Sequence, residues 1–116
     1  MDRVLVLLGA VLGLLAVGAA AAAAHAPGWG GQSVRDAVQI LGWHALAAVG
    51  TGVWTRRGGW IAIVAGMAFL GGTVMFVGAV LAGSLLNVKT GVLAPVGGIT
   101  LMTGWALLGL SALRAR

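Results

Sequence analysis

Four side chains in this 116-residue sequence could move a proton or ligate a metal near neutral pH: Asp2, Asp36, His25 and His44. Cysteine is absent, which removes thiolate metal sites, iron–sulfur clusters, disulfides and a thiol nucleophile together. Asp2 stands beside the N-terminus and Asp36 beside Arg35, so no pair of carboxylates is set for acid–base work. No His/Asp cluster has the spacing of a metal site either. The sequence therefore offers no catalytic residue, no metal site and no cofactor site, and it does not read as an enzyme.

His44 is the one ionisable residue deep inside an apolar run, and such a residue is a functional candidate by position alone. Three chemistries fit it. It is a neutral imidazole bonded to a hydroxyl or carbonyl, a proton relay, or a haem ligand with His25 as the second axial group. Two axial ligands need near-equal depth, whereas His44 is expected about 9 Å deeper than His25 from the rise of a helix. Packing is the favoured reading. Trp43 and Trp105 also fall mid-run, where an indole N–H needs a partner, and a contact between the second and fourth runs would supply one.

The elements that must position these residues are set by a composition no water-soluble domain has. Hydrophobic residues make up 60% of the chain and glycine adds 21 more, while only 8% are charged, against about 25% in ordinary globular chains. The formal charge of +5 does not indicate nucleic acid, because the basic residues stand singly or in pairs at the ends of apolar runs. The lipid bilayer is the partner this composition requires.

Four runs are long enough to cross it, at about 4–24, 34–55, 60–86 and 94–113, in a single domain covering 1–116. The first imitates a signal peptide, with Met1-Asp2-Arg3 ahead of an apolar stretch and Ala24-His25-Ala26 as a small-residue site, and is read as a span. Pro27-Gly28-Trp29-Gly30-Gly31 breaks it. Ser33 and Asp36 have the spacing of a capping box at the start of the second run. Trp54 and Trp60 bracket Arg56-Arg57 as an interfacial turn, the third run is long enough to tilt or project, and Pro95 suits a first helical turn. Arg3, Arg56, Arg57, Arg114 and Arg116 then share a side against Arg35 and Lys89. The expected fold is an all-α membrane protein, a four-transmembrane-helix bundle with both termini on the cytoplasmic side.

Helices in lipid associate through close backbone approach, so small residues should mark the seams. Gly9 and Gly13 form a GxxxG pair in the first run, and Gly97, Gly98, Gly104 and Gly109 are the small residues of the fourth. Thr73, Thr100, Thr103 and Ser84 are expected to return their hydroxyls to carbonyls one turn back.

Several segments, in order along nearly the whole chain, resemble domain-of-unknown-function family 423, small bacterial inner-membrane proteins that include those called YgdD. They are Ala23-Ala24-His25-Ala26, the stretch Ala37-Val38-Gln39 followed by Gly42-Trp43-His44-Ala45-Leu46-Ala47, and Gly72-Thr73-Val74-Met75-Phe76-Val77-Gly78. Ala94-Pro95-Val96-Gly97-Gly98 and Gly104-Trp105 complete the set. The chain departs from the family's usual pattern at Val77, Ala79 and Leu81, where relatives carry two serines and a tyrosine. The resemblance implies a small four-span protein of the bacterial inner membrane and no established activity.

The functional expectation is a structural or accessory subunit of a larger membrane complex, with other membrane-protein subunits as partners. The alternative is a homo-oligomeric channel or transporter for a small neutral solute. An acid-driven cation exporter is disfavoured because no glutamate is present.

Overall fold

The structure, a computed structural model, describes residues 1–115. Arg116, counted above with the basic residues of one side, lies outside them. Three helices follow in order: α1 over Asp2–His25, α2 over Gln32–Leu85 and α3 over Leu93–Arg114, with no strand among the described residues. All three are long and apolar enough to cross a membrane.

The expectation of four separate helices needs correction, for a local reason. The seven-residue turn anticipated from Trp54 to Trp60 does not form. Helix continues through Trp54 and Arg57 and is interrupted at Gly59 alone, where φ is 62° and ψ −152°. That conformation is open essentially to glycine only, so this residue supplies a reversal that a run of turn residues was expected to provide. The reversal follows from dimensions. A straight 54-residue helix would be about 81 Å long at the usual rise, yet the longest extent of the molecule is 50 Å. Leu5 settles the point, because it lies within 3.1 Å of a β-carbon placed at Gly52 and within 2.7 Å of one at Gly66. α2 is thus one element folded into two arms, 32–58 and 60–85.

The expected capping box is also absent. The helix begins two residues earlier, with Gly31 as its N-cap and no side-chain cap, while Gln32 Nε2 donates to Asp36 Oδ1 at 2.7 Å. At the far end Asn87 takes a left-handed φ of 53° and the Val88 N–H reaches back to the Ala82 carbonyl, which closes α2. Gly97 packs on Phe76 near the start of α3, so the second arm continues past that contact for about 13 Å before it ends at Leu85, estimated from the helical rise.

α1 and α3 both pack on the folded α2 and not on each other. α1 runs antiparallel to the first arm, as Gly9 against Val49 and Gly42 against Ala16 require. α3 runs antiparallel to the second arm, with Gly97 on Phe76 and Gly104 on Phe69. The core lies along the inner faces of the two arms, where Ala48, Phe69 and Leu101 form one buried cluster and Ala16, Ala37, Leu41 and Val77 another.

Candidate functional site

His44 lies twelve residues into α2, about 18 Å from its start by helical rise, and is only 5% exposed. Its Nδ1 is 2.7 Å from the Ile40 carbonyl oxygen one turn back, and a carbonyl only accepts, so Nδ1 carries the proton. Nε2 is left as an acceptor, and the Trp105 indole Nε1–H donates to it at 3.0 Å. These partners assign a neutral imidazole with both ring nitrogens engaged. Phe69 closes the group. Its ring centroid is 4.9 Å from that of Trp105 and 5.8 Å from that of His44, tilted to both. Edge-on contacts of this kind add to burial because ring edges and faces carry opposite partial charge.

This geometry bears on the three chemistries considered for His44. An axial haem ligand needs a free lone pair on a ring nitrogen, and here Nε2 holds the indole N–H while Nδ1 is protonated. His25 is exposed at the last position of α1, level with the start of α2, so the depth difference is nearer 18 Å than the 9 Å anticipated, again by helical rise. Accepting a further proton at Nε2 would require release of Trp105. The arrangement is suited to holding helices together. Trp43, named with Trp105 as a possible pair, instead faces outward at 54% exposure.

A second indole bond lies nearer the Gly59 end. Trp54, read above as an interfacial anchor, turns inward and donates from Nε1 to Ser111 Oγ at 3.0 Å, and that hydroxyl donates to the Leu108 carbonyl at 2.7 Å. The two bonds run in opposite directions, one from α3 to α2 and one from α2 to α3. Sequence reasoning missed Ser111 and Phe69. The available signal for Ser111 was that it is the single serine of the last apolar run.

The glycines divide into those at backbone contact and those with room. A β-carbon at Gly97 would lie 2.5 Å from the Phe76 nitrogen and 3.0 Å from the Gly72 oxygen. At Gly9 it would lie 3.0 Å from both the Ala45 oxygen and the Val49 nitrogen, and at Gly104 2.9 Å from the Phe69 ring. Gly13 and Gly98 have only ordinary contacts, at 3.9 Å and 3.7 Å. Pro95 is exposed in the first turn of α3. Thr100 and Thr103 bond to carbonyls one turn back, at 2.8 Å and 2.9 Å, whereas Thr73 does not: its buried hydroxyl has no partner. Among the described residues no three acidic or histidine side chains gather as a metal site.

Three membrane-length apolar helices, packed through glycine and sealed by a buried imidazole–indole pair, define the class: an all-helical protein of membrane character. Residues 14–98 match the family described as Protein of unknown function (DUF423), and the chain belongs to that family. The matched stretch holds His25, His44 and Pro95 to Gly98, while Trp105, the partner of His44, lies beyond it. No curated protein and no solved structure matches the chain.

Proposed function

We propose that this protein crosses the bacterial inner membrane four times, with both termini in the cytoplasm, and serves as an accessory subunit held laterally against a larger membrane assembly. The reversal at Gly59 supports four crossings, since α1, the two arms of α2 and α3 then alternate in direction. That alternation gathers Arg3, Arg56, Arg57 and Arg114 at one end against Arg35 and Lys89 at the other, the bias that marks a cytoplasmic side. Single cysteines at Gly30 and Arg57, probed in intact cells with an impermeant thiol reagent, test the topology. Labelling at Gly30 alone is expected, and labelling at Arg57 alone would invert it.

The accessory role is carried by one observation: the deep ionisable group is spent internally, both of its ring nitrogens being bonded within the fold. What remains outward is smooth apolar surface, including Leu7, Leu14 and Val17 of α1 and Ile99 and Met102 of α3. Such surface suits lateral helix contact in lipid. Native mass measurement after mild extraction should recover the chain with other polypeptides. A homogeneous homo-oligomer that conducts a neutral solute when reconstituted alone in liposomes would replace this reading with that of a channel.

A further inference from the structure

At the end of the molecule that holds Met1 and Gly59, α1 and the first arm of α2 meet so closely that a β-carbon on Gly52 would lie 2.9 Å from the Asp2 carbonyl oxygen and 2.8 Å from Val6. Beside this contact runs a groove of about 510 Å³ whose rim carries Arg3, Arg56 and Asp2 and whose wall is Val6, Leu7 and Val53. A neighbouring recess shares Val53 and Arg56 and adds Arg57 and Trp54. The groove is therefore cationic at its outer end and apolar further in. Leu7 and Val53 are 65% and 70% exposed, so the wall is open to a ligand along its length.

Among the described residues Asp2 is the single anion here. It stands 4.0 Å from Arg56 and 3.9 Å from the terminal amine, so one carboxylate is shared among the amine, Arg3, Arg56 and Arg57, and the groove keeps a cationic excess that Arg3 and the 86% exposed Arg56 present at its rim. A phosphate at the rim would meet guanidinium donors suited to its oxygens, and a hydrocarbon chain attached to it would continue onto the apolar wall. We infer that this groove binds an anionic phospholipid, the phosphate held by Arg3 and Arg56 and an acyl chain lying against Leu7 and Val53. Charge complementarity selects the headgroup, and the two-part character of the groove selects a lipid over a soluble anion. The inference rests on the membrane-crossing reading above and is independent of the accessory role.

The test uses the full chain purified in mild detergent, with bound lipid counted by native mass spectrometry during titration with phosphatidylglycerol or phosphatidylcholine. Wild type should retain phosphatidylglycerol in preference. Arg3→Gln with Arg56→Gln should weaken that retention roughly tenfold or more, while Arg35→Gln at the opposite end should leave it unchanged. Arg56 is 86% exposed, so the double variant spares the core, and Arg56→Gln alone serves if the pair does not accumulate. Equal retention of the two lipids, an unaltered preference in the Arg3/Arg56 variant, or displacement of phosphatidylglycerol by millimolar inorganic phosphate would each overturn the proposal. Carbonate extraction of cell membranes separates the two failures. A chain released by carbonate defeats the membrane-crossing reading, whereas an embedded chain without lipid preference defeats the groove alone.

Discussion

The two outer helices lean on the same folded α2 by different means. α1 is held by shape. Its buried residues are Leu5, Gly9 and Ala16, and among the described residues no side-chain hydrogen bond joins it to the rest; one ion pair at its end, Asp2 with Arg56, is its sole charged contact. α3 has comparable glycine contacts at Gly97 and Gly104, and adds the Trp105–His44 and Trp54–Ser111 bonds. In lipid there is no hydrophobic gain in bringing apolar helices together, so a seam of the first kind depends on dispersion over closely approached backbones. Polar bonds add direction, because an indole and an imidazole meet in one register only. α1 is accordingly the more replaceable neighbour, and α3 is registered to α2.

The largest expected effect strikes the α3 seam where backbones touch. At Gly97 the atoms in the way are the Phe76 nitrogen and the Gly72 oxygen, neither of which can swing aside as a side chain can. Gly97→Leu should cost about 3 kcal/mol or more, the upper range of overpacking, read by unfolding in mixed micelles; wild-type stability would mean that α3 sits further off than described. Gly9→Leu follows. It meets the movable Val49 Cγ2 at 2.8 Å as well as backbone at 3.0 Å, so part of the clash is relieved by a rotamer change. About 2 kcal/mol is expected by the same measure, and an effect exceeding that of Gly97→Leu would reverse the ranking of the two seams.

Much of this was legible in the sequence, for reasons that particular residues make plain. The apolar runs and their charged ends gave the helices, since run length and composition are local properties. The break at Gly59 reads in the sequence as a seven-residue turn because the Arg56-Arg57 pair, the glycines and the flanking tryptophans carry turn and interface signals together, while one backbone conformation suffices. His44 was visible as the single deep ionisable group. Its partner was not, because nothing local ties residue 105 to residue 44; only the register of α3 on the first arm does so. Likewise Gly9 and Gly13 look alike as a motif, and only the crossing point of the helices separates the one at contact from the one with room.

The polar clamp can be weighed directly. Trp105→Phe keeps the ring against Phe69 and removes the N–H, leaving His44 Nε2 unpartnered in an apolar setting. His44→Leu removes the other half. Together they form a double-mutant cycle, and the coupling should fall at roughly 0.6–1.7 kcal/mol, the range of hydrogen bonds between membrane helices. The same substitutions should leave retention of α1 unaltered, judged by protection of a cysteine placed at Ala16. Zero coupling would reduce the α3 seam to the shape-held kind and erase the distinction drawn between the two.

The smallest effect sharpens the contrast from the α1 side. Gly13 belongs to the same GxxxG pair as Gly9, yet a β-carbon there would approach nothing nearer than 3.9 Å, the methyl of Ala45. Alanine fits this space without displacing either helix and makes an ordinary van der Waals contact where glycine makes none. It also removes the conformational penalty that glycine carries inside a helix, about 0.5–1 kcal/mol relative to alanine. Gly13→Ala should therefore be neutral or stabilising by a few tenths of a kcal/mol, a fraction of that figure because lipid already restrains the unfolded helix. The measurement is the unfolding midpoint in mixed micelles beside that of Gly9→Ala, where the 3.0 Å approach to backbone leaves no such room. Equal destabilisation by the two alanines would show that α1 rests on both glycines, closer to α2 than the Gly13 spacing allows.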